Sequence, residues 1–226
     1  AYASAPVCAV ARSTLLTGMY APTLGTHNMR CNTVLPNEIP AYPTIFREAG
    51  YYCTNNSKKD YNSPFNRDPD LWDESSRTAH YKNRKTGQPF FAVFNITVTH
   101  ESQLSAENQQ RYLENKQIPL KPRIAPEEIV LPPYHPDLPA IRHDWARYHD
   151  LITLMDSMVG DRLRELDASG AADNTIVFFY SDHGGMLARS KRYIYNVGTQ
   201  VPLIIRFPST WQHLAPGGPG STQNRL

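Results

Sequence analysis

Four groups of residues along the chain have chemistry to offer. The first is Cys8 with Arg12 in the run VCAVARSTLLTG, a thiol at the entrance of an apolar helix and a guanidinium one turn later. Unpaired N–H groups and the helix dipole favour an anion at such a terminus, and arginine offers a planar fork to a tetrahedral oxyanion. That pairing suits sulfate or phosphate, and it is equally the pattern of a buried thiol and a surface arginine. The second group is Lys58 and Lys59, two point charges in a polar turn. His100, the third, follows an apolar run, where an imidazole titrating near neutrality can protonate a leaving group or fix an anionic oxygen. The fourth is Asp182 with His183, two ligands for a hard cation followed by two glycines, or a turn with a capping aspartate; Lys191 downstream adds another point charge.

The elements around these residues place them together. Apolar spacing predicts a helix over residues 9–19 with Cys8 at its first turn, and a short helix from Pro43 closed by Gly50. YYCT reads as a strand that ends in the turn bearing the lysines. PFFAVFNITV, residues 89–98, and residues 175–180 read as strands covered on both faces, and VPLIIRF from Val201 as another. Between them Ile141, Trp145, Tyr148, Ile152, Met155, Val159, Leu163 and Leu166 recur at helical spacing, with Gly170 at the position of a C-terminal cap. Residues 21–40 read as loop, 65–88 as polar and aperiodic, and 101–140 as a long surface excursion. Strand, helix, strand in this order implies an α/β fold, a mostly parallel sheet flanked by helices, with ligands gathering at the carboxyl ends of the strands. All four groups fall at such ends or at a helix start.

Composition narrows the partners. With 23 Lys and Arg against 21 Asp and Glu in 226 residues, no polycation is present to neutralise a run of phosphates, so nucleic acid is not an expected partner. Cys8, Cys31 and Cys53 show no CxxC spacing, which argues against a disulfide framework and a zinc site. No stretch approaches the roughly 20 apolar residues of a membrane span. Two sequons, at Asn55 and Asn95, carry no weight because the second falls inside an expected buried strand.

In combination the motifs resemble the sulfatases of the alkaline-phosphatase-like superfamily. PVCAVARSTLLTGMY resembles their signature, in which Cys-x-Pro/Ala-x-Arg precedes a Leu-Leu-Thr-Gly helix; GYYCTNNSKKDYN, PFFAVFNITVTHES and IVFFYSDHGGMLARSKRYIYNVGTQVPLIIRFP resemble further blocks. The last of these is similar to bacterial relatives of heparan N-sulfatase. The resemblance implies a sulfuric ester or sulfamate hydrolase acting on sulfated polysaccharide or glycosaminoglycan fragments. It makes Cys8 the precursor of formylglycine, produced by a maturation enzyme, whose hydrated form attacks sulfur with one hydroxyl and expels sulfate with the other. By the same resemblance Arg12 stabilises that group, Lys58 and Lys191 contact sulfate, His100 lies near the leaving group, and Asp182 and His183 ligate a divalent cation, usually Ca2+. Export to the periplasm or cell exterior is the family's habit.

This sequence departs from the family pattern in three places. Val10 stands where the maturation motif has Pro or Ala, and Asp60 where the lysine block has histidine. The family's acidic pair from a first strand has no counterpart before Ala1, so residues 1–226 are expected to be one partial catalytic domain, incomplete at both ends and inactive in isolation. Two alternatives remain: a phosphodiesterase or phosphonate hydrolase of the same superfamily, and a non-catalytic relative that binds anions with Cys8 unmodified.

Overall fold

The helix expected at the cysteine begins on it. In the computed structural model, which describes residues 1–223, α1 runs Cys8–Thr17 and ends where Gly18, at φ 70°, donates its N–H to Thr14 O. Only a residue without Cβ takes that left-handed turn at no cost. Cys8, Ala9, Val10, Ala11 and Leu16 are all buried, so α1 is anchored by its small apolar face. A single turn, α2 (Ala21–Leu24), follows; α3 (Tyr42–Glu48) then has Pro43 in its first turn, as the sequence indicated.

Strand β1 (Tyr52–Asn56) lies between β2 (Glu74–Ser75) and β3 (Phe90–Phe94) in a three-stranded parallel sheet of order β2-β1-β3. Beneath it Leu16, Cys53, Tyr61, Leu71 and Trp72 form a buried cluster, with Phe46, Tyr42 and Phe91 packed on it. Its aromatic contacts include a stacked Phe46–Phe91 pair with ring centroids 4.6 Å apart. Leu71 and Trp72 come from the segment 65–88, so the polar stretch is tied down by a few apolar residues that its average composition conceals.

Helix α4 (Ala106–Glu114) and the 30-residue α5 (Pro139–Ala168) follow. The segment 101–140 is therefore more than a surface excursion: α4 inserts Tyr112 and the turn after it inserts Ile118 into a second cluster, beside Leu151 and Met186. On α5 the apolar spacing gave the helix but misjudged its buried face, which includes Arg147 and Asp150 as well as Ala146 and Leu151. The reason is a clasp between helix and segment. The Asp150 carboxylate, fully buried, sits 3.2 Å from Arg147 Nη1 and 3.1 Å from Arg123 Nη1. Arg147 Nη1 and Nη2 in turn donate to the carbonyls of Pro119 and Leu120 at 2.8 and 2.7 Å.

Strand β4 (Val177–Tyr180) and strand β5 (Leu203–Arg206) pair antiparallel, joined by a segment that contains α6 (Asn196–Thr199). The expectation of a parallel sheet holds for β1 to β3 and fails for this pair. Nor are the late strands covered on both faces among the described residues: Phe178 is 54% and Ile204 62% exposed. Strand β3 likewise ends at Phe94, short of the expected residue 98, and Asn95 instead donates its amide to Asn55 Oδ1 at 2.8 Å. All three cysteines are free, and no helix among the described residues is long and apolar enough to cross a membrane.

Removing the Asp150 carboxylate leaves the buried guanidinium of Arg147 without its counter-charge, while the half-exposed Arg123 can turn to solvent. Asp150→Ala is expected to cost about 3–5 kcal/mol of unfolding free energy, as breaking a buried ion pair does. Urea denaturation followed by tryptophan fluorescence checks this, and a loss below about 1 kcal/mol, the level of a surface pair, contradicts the clasp.

Candidate active site

Three backbone corners meet at the site: the first turn of α1, the turn after β1, and the turn after β4. A network of amides at the strand ends fixes the second corner. Asn55, fully buried, donates from Nδ2 to Ser75 Oγ at the end of β2 and to Lys58 O in the turn, while accepting from Asn95 beyond β3. Its burial also removes Asn55 as a glycan acceptor. Asp60, at φ 64°, takes a left-handed conformation that aspartate tolerates better than most residues, and it turns the chain back toward α1.

Cys8 Sγ, an Asp182 carboxylate oxygen and His183 Nε2 all lie within 4.8 Å of one another. The thiol is 3.1 Å from His183 Nε2, and His183 Nδ1 is 2.8 Å from Gly184 O. A carbonyl only accepts, so Nδ1 carries the proton and the Nε2 lone pair of the neutral ring points at Cys8. Two glycines make this corner possible. A Cβ on Gly184 would come within 2.1 Å of Val197 O, and the Gly184 N–H donates to Gly198 O at 2.8 Å.

Burial is the largest influence on Cys8 and opposes its ionisation, but the hydrogen bond to His183 together with the Lys58 and His183 charges overcomes it and brings the thiol down to about 7. His183 moves the opposite way: burial resists its protonation, and the bond from Cys8 with the nearby Asp182 charge raises its pKa overall. The pair therefore shares a proton near neutrality. Cys53, buried in the core beside Asp73, is pushed up to about 12 by burial and then by that carboxylate.

Arg12 does not present an open fork. Its Nε and Nη2 donate to Lys59 O and Lys58 O, both at 2.6 Å, leaving Nη1 3.9 Å from Asp182 Oδ2. The guanidinium thus ties α1 to the lysine turn and faces the anion position with one nitrogen. Lys58 Nζ stands 3.8 Å from the same Asp182 oxygen and 3.9 Å from Asp60 Oδ2. Lys59 supplies its carbonyl.

His100 and Lys191 form the opposite wall. Lys191, only 5% exposed, places Nζ 3.1 Å from His100 Nε2 and 3.1 Å from Glu101 Oε1. On the other side of the ring, His100 Nδ1 accepts from the Ser102 N–H at 3.3 Å and lies 2.9 Å from Ser102 Oγ, capping the turn that follows. Burial first, then the Lys191 and Lys58 charges, lower the pKa of His100 and keep it neutral. His100 thus lines the cleft beside Lys191, with Nε2 toward the Lys191 ammonium. Glu101 also binds Arg192 with both oxygens, at 3.0 and 2.8 Å. The cleft these groups enclose, about 230 Å³, carries Arg30, Lys58, Lys191 and Arg192 against Asp60 and Glu101, with Cys8 in its wall.

All seven residues given roles by the resemblance therefore come together, and Lys59, the eighth candidate, contributes only its carbonyl. Asn55, Glu101 and Arg192 were missed. Glu101 and Arg192 directly follow His100 and Lys191, and an acid and a base each placed beside a candidate was the available signal; nothing local marks Asn55.

The model of the sulfatase family matches residues 1–225. The chain belongs to the sulfatase family. An ulvan-active sulfatase of Formosa agariphila is 37% identical over 92% of the chain, which spans 41% of that protein's length. Human N-sulphoglucosamine sulphohydrolase is 34% identical over 37% of the chain and 16% of its own length. The fold is shared with a Bacteroides thetaiotaomicron protein from a locus for metabolism of multiple glycosaminoglycans, at TM-score 0.70 and 20% identity over 92% of this chain and 57% of that one. The chain thus spans less than half of the length of its first curated relative. Sulfatases employ a divalent metal and a formylglycine made from cysteine, and this donor set fits both. The free Nε2 lone pair and an Asp182 oxygen face the residue 8 side chain, and atoms within 4.8 Å of one another can share an ion at the roughly 2.3–2.6 Å of calcium–oxygen bonds.

In metal-free, unconverted protein the Cys8 thiol is expected to react with a small alkylating agent at a rate that climbs as pH rises through about 7. Cys53, at about 12, stays silent over the same range. His183→Ala removes the hydrogen bond and leaves burial, so the Cys8 midpoint moves up. Mass mapping of alkylated peptides reads all three, and an unmoved midpoint contradicts the Cys8–His183 proton sharing.

Proposed function

We propose that the protein hydrolyses sulfate esters or sulfamates of sulfated carbohydrates, with residue 8 converted by a maturation enzyme from cysteine to formylglycine. The observation that carries this reading is the convergence of Cys8, Asp182 and His183 within 4.8 Å at one side of a cleft lined with cations. Asp182 and His183 would hold a divalent cation, calcium by choice, which polarises a sulfate oxygen when bound. A hydrated aldehyde at residue 8 would supply one hydroxyl to displace the sugar oxygen or nitrogen from sulfur and a second whose deprotonation expels sulfate as the aldehyde re-forms.

This chain's own side chains do the rest. Bond cleavage concentrates charge on the non-bridging and leaving oxygens, so preplaced donors lower the barrier. Lys58 and Lys191, on opposite walls, are the donors to sulfate oxygens. His100 lines the cleft beside Lys191, and Arg12 keeps the Lys58 turn and Asp182 against α1. An incoming sulfate draws the ammonium of Lys191 away from Glu101, whose charge Arg192 still balances. Val10 is buried in α1, only 4% exposed, so its departure from the maturation motif serves the core in the folded chain. Conversion acts on the motif itself, and the peptide containing Cys8 reports it.

In a host that makes the maturation enzyme, the Cys8 peptide is expected to weigh less than the thiol form by the difference between CH2SH and CHO. Lys191→Ala in converted protein is expected to lower kcat for an aryl sulfate about 10²–10³-fold, the effect of losing one oxyanion donor. An unmodified peptide removes turnover and leaves an anion-binding relative; preference for aryl phosphate over aryl sulfate makes it a phosphohydrolase.

A further inference from the structure

Arg189 is held between two tyrosine rings with its charge unspent. Its Cζ lies 5.2 Å from the ring centroid of Tyr134 and 4.7 Å from that of Tyr195, and among the described residues its guanidinium makes no ion pair and donates no hydrogen bond. Cation–π attraction to both rings favours this placement of the guanidinium while its five N–H groups remain available. The platform under it is rigid. Trp145 Nε1 on α5 donates to His135 Nδ1 at 2.9 Å, so His135 Nε2 carries the proton and donates to Ala188 O at 2.8 Å, fastening the Tyr134 loop to the Arg189 loop. Tyr195 also lies parallel to Tyr193, their planes 11° apart, and both rings are 50% exposed. Tyr134, Arg189 and Tyr195 border a groove of about 480 Å³ that Ile194, Asn196 and Val197 also line, within the range of about 300–1,000 Å³ typical of ligand sites.

The groove adjoins the sulfate cleft. Arg189 is two residues from Lys191, which lines the cleft, so their Cα atoms are at most about 7 Å apart. Resting on the reading above, we infer that this groove is a subsite for an acidic sugar, a uronate or sulfated residue, adjacent along the glycan to the one whose sulfate enters the cleft. A planar fork binds a carboxylate or sulfate with two parallel hydrogen bonds. Flat tyrosine faces offer apolar surface to the C–H face of a pyranose, with hydroxyls left at the edge for Asn196 and water. The excess of cations in the adjoining cleft, four against two carboxylates, matches a substrate that is negative at more than one position.

The test compares Arg189→Ala and Tyr195→Ala with the parent in the full-length protein, on a small aryl sulfate and on a sulfated oligosaccharide. The expected result is a KM for the oligosaccharide raised about tenfold or more, with kcat and the aryl sulfate rate unchanged. Calorimetric titration with an unsulfated uronic acid oligosaccharide supplies a second reading, in which Arg189→Ala weakens binding by a similar factor. An unchanged KM and unchanged titration overturn the subsite while leaving the hydrolase reading intact. Equal losses on both substrates with a lowered Tm also overturn it, because the groove is then covered by polypeptide. If the parent hydrolyses no sulfate yet Arg189→Ala still weakens oligosaccharide binding, the hydrolase reading falls and the groove stands.

Discussion

Cations that share one small cleft repel one another, and this repulsion is the constraint on which the site is built. Two unit charges about 4 Å apart interact by about 4 kcal/mol at an effective dielectric near 20. Lys58, Arg12, Lys191 and Arg192 can stay together only if opposite charge and carbonyl oxygen are interleaved among them. Asp182 stands between Lys58 and Arg12, Glu101 between Lys191 and Arg192, and the carbonyls of Lys58 and Lys59 absorb most of the Arg12 guanidinium. On the proposed reading, an arriving sulfate would take over part of that neutralisation, its charge compensated by groups already in place rather than by reorganised solvent.

The fold supplies the corners at which these charges sit. Parallel pairing of β1 with β2 and β3 brings Asn55, Ser75 and Asn95 to one end of the sheet, and their amide network holds the Lys58 turn. The antiparallel β4–β5 pair aims Asp182 and His183 at the start of α1, while Gly184 and Gly198 let the segment after β4 close on itself. His183 is central to the geometry. The bond from its Nδ1 to Gly184 O selects the tautomer that turns a lone pair toward residue 8. That lone pair can take the Cys8 proton in the unconverted chain, leaving a thiolate beside an imidazolium, and it is available to a cation.

Much of this was legible in the sequence because it is carried by local pattern. The helix at Cys8, the length of α5 and the existence of β1, β3, β4 and β5 follow from periodicity and from Gly50 and Gly170 after helix ends, whereas α1 stops at Thr17 before the expected residue 19 because Gly18 caps it. The resemblance then assigned the seven site residues by position. What escaped notice depends on tertiary partners. No periodicity tells whether β5 runs parallel or antiparallel to β4. Arg147 and Asp150 look like a solvated face until residues 119–123 arrive to bury them. Arg12 reads as an open fork in the sequence because the carbonyls that occupy it lie 46 and 47 residues away. Asn55, inside a sequon, looks like a surface residue and is instead the buried link between three strand ends.

The most direct measurement of the site is a crystal structure of the protein grown with sulfate at saturating concentration. The expected result is a tetrahedral anion beside residue 8 with oxygens within hydrogen-bonding distance of both Lys58 Nζ and Lys191 Nζ, the latter shifted off Glu101. Sulfate bound elsewhere, or a cleft in which Lys191 stays on His100 and Glu101 with no anion between the walls, contradicts the convergence of these groups on one oxyanion.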